Sequence, residues 1–175
     1  RRQRQMCIRD RYCDSVAHII AVAHILSGQN GAALRDILAG RDDGVVRGVL
    51  SLKTQNRDSG AHLLSRYRDS VAHLLSRYNG AALRDILAGK DDNFVRDILS
   101  ITNHRYEDSV AHLLSRYNGA KLRDILVGRG DVFIRDVLSI MDGNGYKVAD
   151  LLYKYNDAVL DEILAGRDKS KKMSI

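Results

Sequence analysis

One side-chain position recurs with chemistry in it. Histidine stands at 24, 62, 73 and 112, in copies of a segment that reads VAHLLSRY at 71–78 and at 110–117. Asp150 takes that slot in the last copy, VADLLYKY. His73 and Arg77 are four residues apart, as are His112 and Arg116, and Asp150 and Lys154. On a helix that spacing makes each pair neighbours on one face. His73, Arg77, His112, Arg116, Asp150 and Lys154 therefore form a candidate binding ladder. Its rungs would stand roughly 10 Å apart, the packing distance of helices, whereas metal ligands sit about 2 Å from the ion. Two rungs cannot share a metal, and no cofactor is expected. The ladder is either a repeating polar binding ribbon or a flank that packs between units or is simply solvated.

A second motif is Arg-Asp in an apolar frame, at 35–36, 84–85, 96–97, 123–124 and 135–136. Adjacent residues do not face each other on a helix. Pairing is expected between helices or units, each Arg meeting the next unit's Asp and fixing register. The alternative is a row of phosphate-binding arginines. Met141-Asp142-Gly143-Asn144-Gly145 hints at a calcium loop, but Lys147 stands where Gly is needed and Tyr153 where the bidentate Glu is needed. We read it as a connecting loop. Catalysis needs one asymmetric, preorganised constellation. Here Ser and His recur as repeat positions, so a non-catalytic protein is expected.

The elements that position these residues come from an internal repeat. Asp69 to Gly89 and Asp108 to Gly128 differ at two of 21 positions, Ala82 against Lys121 and Ala88 against Val127. Asn30 to Gly40 equals Asn79 to Gly89, and Val148 to Gly166 is a diverged copy. Corresponding starts at Val22, Gly60, Val71, Val110 and Val148 give a period of 38–39 residues with one 11-residue step. Eleven residues is close to three helical turns, so a continuous helix over 59–78 is feasible; an assembly slip between near-identical repeats is the alternative.

Each unit reads as three short helices. Helix A carries an apolar stripe of Val71, Leu74, Leu75 and Tyr78 behind a capping Asp69 or Ser70. Helix B carries Leu83, Ile86 and Leu87, with Asn79 as N-cap and Gly89 as C′ glycine. Helix C carries Val95, Ile98 and Leu99 behind Asp91 or Asp92. Helices this short are marginal alone and are stabilised by stacking on neighbours. The fold class expected is all-α, an α-solenoid-like array of 38–39-residue units with three short helices each. A single compact helical bundle is the alternative.

Arg1 to Arg11, RRQRQMCIRDR, back-translates to a transposase adapter used in sequencing libraries. Residues 1–11 are expected to be a translated adapter artefact, residues 12–167 the helical repeat domain and 168–175 a polar C-terminal tail. The source is then an assembled read set and the native N-terminus is missing. Removing five Arg and one Asp from 28 basic and 22 acidic residues leaves 23 and 21, a net charge of +2. The composition argument for nucleic acid largely goes with them. Pro and Trp are absent and no apolar run is long enough to span a bilayer. Cys7 and Cys13 support neither a disulfide framework nor a zinc site. An intracellular, cytoplasmic location is the default expectation.

Val71-x2-Leu74-x5-Gly80-Ala81-Ala82-Leu83-x2-Ile86-Leu87 is similar to the repeats of transcription-activator-like effectors, in which a short helix, a glycine loop and a second helix recur. The resemblance covers about 20 residues of each unit. It implies DNA reading, with Ser76-Arg77 and Ser115-Arg116 near the base-reading loop. The present unit is longer, adds a third helix, has one glycine in the loop and lacks a Lys/Gln pair after it. Three short helices per unit also resemble armadillo or HEAT arrays. The leading expectation is a scaffold that binds a protein or peptide along an extended face. The alternative is a helical-repeat nucleic-acid binder. Arg77, Arg116 and Lys154 lining one concave face with few acids nearby would favour nucleic acid; Asp neutralising each Arg between repeats would favour the scaffold.

Overall fold

The computed structural model describes residues 22–23, 25–53, 69–103 and 107–172, with side chains to residue 165. It is an all-α, solenoid-like array of helices in repeated triplets. After helical residues 25–29 come α1 (Gly31–Leu38), α2 (Asp43–Ser51), α3 (Val71–Tyr78), α4 (Gly80–Leu87), α5 (Asp92–Leu99), α6 (Val110–Tyr117), α7 (Gly119–Leu126), α8 (Asp131–Leu138), α9 (Val148–Tyr155) and α10 (Asp157–Lys172). Like packs on like. The A helices α3, α6 and α9 stack in sequence, as do the B helices α1, α4, α7 and α10, and the C helices α2, α5 and α8.

Local chemistry sets the helix ends. Ser70 and Ser109 cap the A helices, their hydroxyls accepting from the His73 and His112 amides. Asp91 caps α5, accepting from the Phe94 amide at 2.8 Å, which leaves Asp92 as the first helical residue. Gly40, Gly89 and Gly128 end the B helices with positive φ, as a C′ glycine should. Ser70 is extended and bridged to Lys53. A helix continuous over 59–78 is therefore excluded at Ser70, whose cap starts a new helix; residues 59–68 lie outside the described residues, as do His24 and His62. The last B helix does not stop at Gly166 but runs on through Lys172, so residues 168–172, expected as a tail, are helical.

The expected core residues are buried on all three helices: Val71, Leu74 and Leu75; Leu83, Ile86 and Leu87; Val95, Ile98 and Leu99. Phe94 and Phe133 join them. Tyr78 does not. It is 58% exposed, and Tyr117 is 51% exposed. At the last turn of a short helix a tyrosine has run past the packed layer, and its hydroxyl stays in water.

Each C helix returns to the next A helix through a hairpin with a single antiparallel bridge, Thr102 to Ser109 and Met141 to Lys147. In the second, the Asp142 carboxylate accepts from the amides of Asn144 and Tyr146, both at 2.9 Å. The acid that suggested a calcium loop organises a turn instead.

Arg-Asp pairing between units is as expected. Arg35 meets Asp85 at 3.3 Å, Arg84 meets Asp124 at 3.5 Å, and Arg123 meets Glu162. On the C helices Arg47 meets Asp97 and Arg96 meets Asp136. Adjacent residues also pair, against expectation: Arg35 with Asp36, Arg84 with Asp85 and Arg123 with Asp124, at 2.7, 2.5 and 2.8 Å. The long guanidinium arm swings around the helix surface to reach its neighbour. These partners hold the Asp85 and Asp124 carboxyls below their ordinary range, Arg84 and Arg123 being the main causes.

Candidate functional site

The six ladder residues separate into two rows with different jobs. His73 and His112 are buried, 1% and 0% exposed. The His73 Nδ1 accepts from the Ser70 amide at 3.3 Å and lies 2.7 Å from its hydroxyl. Nε2 lies 3.2 Å from the Asp108 carbonyl in the next unit's hairpin. A carbonyl only accepts, so Nε2 carries the proton and Nδ1 is the acceptor. His112 repeats this with Ser109 and with the Tyr146 carbonyl at 3.0 Å. Each histidine thus completes a capping box within its helix and pins the next unit. Burial pushes the His73 pKa down to about 4; the Asp108 carbonyl opposes the shift and Lys53 and Arg77 add to it. Asp150 keeps the capping half alone. Its carboxylate accepts from the Lys147 amide at 2.8 Å.

A second joint runs in the opposite direction. The Asn118 side-chain amide donates to the Ser76 carbonyl of the preceding A helix at 2.7 Å. Asn79 donates to Ser27 at 2.6 Å and Asn156 to Ser115 at 2.6 Å. Asn79 is therefore not a side-chain N-cap of α4; its amide satisfies the open carbonyls at the end of the neighbouring helix. Glycine makes room for it. A Cβ on Gly80 would fall 2.9 Å from the Asn118 side chain, and one on Gly119 2.7 Å from Asn156.

In the last copy, residues that reach back are kept, as Asn156 and Glu162. Residues that face forward are changed: His to Asp150, the buried Ser to Tyr153, Gly to Asp157 and Arg to Asp161.

Arg77, Arg116 and Lys154 form the surface row, and exposed tyrosines interleave them. The Arg77 guanidinium lies 6.0 Å from the Tyr78 ring centroid and 5.4 Å from the next unit's Tyr117. Arg116 lies 6.0 Å from Tyr155, and Lys154 lies 5.3 Å from the same ring. These are cation–π distances. Burial works against the Arg77 charge, but the Tyr78 hydroxyl and the Asp69 carboxylate more than offset it and raise its pKa. Asp108 sits 3.6 Å from Arg116 and is buried. Tyr146 and Tyr153 of the last unit are also exposed, at 57% and 70%.

Comparison with family models, with curated proteins and with solved structures finds no match. The similarity to effector repeats rests on the residues quoted for it.

At the turns between B and C helices, two grooves of about 520 and 290 Å³ open between consecutive units. Their charged walls pair internally, Arg84 with Asp124, Arg129 with Asp92 and Arg35 with Asp85. Among the described residues no cluster of His, Cys, Asp and Glu could hold a metal, and no helix is long and apolar enough to cross a membrane. The tyrosines were missed in the sequence because they sat on the apolar stripe. The available signal was their place beside Arg at the end of an eight-residue helix.

Proposed function

We propose that this chain is a non-catalytic interaction scaffold that binds a protein or peptide along the strip formed by Tyr78, Arg77, Tyr117, Arg116, Tyr155 and Lys154. The observation that carries the reading is that strip: exposed tyrosines with Arg77 between the rings of Tyr78 and Tyr117, and Arg116 and Lys154 against that of Tyr155. Tyrosine and arginine are the residues that concentrate binding energy at protein interfaces, because they present large, rigid area with a polar edge. The Arg-Asp rows support it further. Arg35, Arg84, Arg123, Arg47 and Arg96 each meet an acid of the next unit, which takes those charges away from a phosphate backbone. An intracellular, cytoplasmic setting belongs to the same proposal.

The test is selection of a random peptide display library on the parent chain and on Tyr117→Ala. Tyr117 is half exposed, so the variant's stability is expected to stay within about 0.5 kcal/mol of the parent. Enrichment of a defined motif on the parent and its loss on Tyr117→Ala is the expected result. Sequence-selective capture of duplex DNA from a random pool at physiological salt, with no peptide enriched, would overturn the reading in favour of nucleic acid.

A further inference from the structure

We propose that the strip seats an extended acidic peptide in polyproline II conformation, with a carboxylate at every third residue. The inference rests on the scaffold reading and names its ligand class. The argument begins with spacing. The cations come one per unit, on A helices stacked directly on one another, so they repeat at about 8–10 Å. A polyproline II chain has three residues per turn and advances about 3.1 Å per residue. Side chains at i, i+3 and i+6 therefore share one edge and repeat at about 9 Å, matching the rungs. A β-strand presents same-face side chains about every 7 Å and an α-helix advances about 5.4 Å per turn. Neither keeps step with the units.

The chemistry of the rungs points the same way. Ring faces lie against the guanidinium groups of Arg77 and Arg116, a geometry that leaves the guanidinium edge to meet a carboxylate. The Nε atoms of both are buried without a hydrogen-bond partner, and Arg116 lies 3.6 Å from Asp108, so a ligand carboxylate would meet only the outer part of each half-buried guanidinium. Asp69 and Asp108 are themselves buried, so neither lies on the exposed tyrosine surface. Between cations the exposed faces are Tyr78, Tyr117 and Tyr155. Aromatic surfaces of this kind dock polyproline II turns, which lose little conformational freedom on binding.

The experiment uses the full chain and fluorescein-labelled 12-residue peptides at physiological salt, read by fluorescence anisotropy. One peptide is four copies of Glu-Pro-Pro. A second has the same composition with its four glutamates in one block. A third is four copies of Gln-Pro-Pro, and a twelve-nucleotide oligothymidine is the fourth probe. The spaced glutamate peptide is expected to bind at least tenfold tighter than the blocked one, with no measurable binding of the glutamine peptide. Arg116→Gln and Tyr117→Ala should each weaken it tenfold or more, and Arg116→Lys should weaken it less than Arg116→Gln. Arg1, Arg2, Arg4, Arg9 and Arg11 favour the peptide with the denser block of charge, so they act against the expected ratio and do not produce it. Equal affinity for the two would overturn the inference, because it would be a net-charge effect. Failure of the spaced peptide while the display library still yields Tyr117-dependent ligands would overturn the inference and leave the scaffold standing. Tighter binding of oligothymidine would overturn both.

Discussion

Lowering the pH from 7 to 4 is expected to cost the fold on the order of 3 kcal/mol through His73 alone. The folded-state pKa is about 4, against 6.5 for the free side chain, and each unit of difference is about 1.4 kcal/mol. A histidine whose pKa is lowered by folding binds protons more readily in the unfolded chain. Its contribution is complete above pH 6.5, falls as the pH drops from 6.5 to 4, and levels off below. The physical cause is visible in its partners. A second proton would go on Nδ1, which accepts from Ser70, and the ring would carry a charge where it is 1% exposed. Urea unfolding across pH 4–7 on the parent and on His73→Gln measures it. The parent should lose stability on acidification more steeply than the variant. Parallel curves would mean that His73 titrates freely and is not held in this joint.

Gly80→Ala is expected to destabilise by about 1–3 kcal/mol, although alanine is the better helix former. Its Cβ would lie 2.9 Å from Asn118 Cγ, and Asn118 cannot retreat without giving up the Ser76 carbonyl. Gly48, inside α2, has open space around it. Gly48→Ala should therefore stabilise by about 0.5–1 kcal/mol. Opposite signs for one chemical change separate packing from propensity. Asn118→Gly alone should cost about 1–3 kcal/mol, for the unsatisfied carbonyl it leaves. In the Gly80→Ala/Asn118→Gly double variant the two costs should fall short of their sum by 1 kcal/mol or more, because the new methyl group occupies the vacated space. Strict additivity of the melts would show that the asparagine and the glycine are not in contact.

The repeat, the three helices of each unit and most of the core were legible because their signals are local. Apolar residues at helical spacing, Asp91 before α5 and Gly89 after α4 act within one unit. The Arg-Asp pairing between units was legible because adjacency made a partner elsewhere necessary. Facing was not legible. Hydrophobicity separates an inner side from an outer side, but in a stack a unit also has a front and a back, and polar residues occupy both. For His73 the sequence left a binding rung and a flank packed between units both open, and the residue is a buried pin. Asn79 looked like a cap for its own helix and serves the preceding one. Tyr78 looked like core and lies in solvent. The diverged last copy held the missing information: Asp150, Tyr153, Asp157 and Asp161 mark the forward positions, whereas Asn156 and Glu162 mark the backward ones.

The paired joints between units carry a consequence for how such a chain can grow. Every unit but the last brings both a plug, in the asparagine and the acid, and a socket, in the glycine, the histidine and the arginine. A tandem duplication of 39 residues therefore inherits both halves of a working connection at once, and its new neighbours already fit. Copy number can rise or fall by recombination between near-identical segments without any side chain having to be reinvented. What changes with each added copy is the reach of the tyrosine–cation strip, so under the proposed function copy number sets the length of ligand the strip can hold.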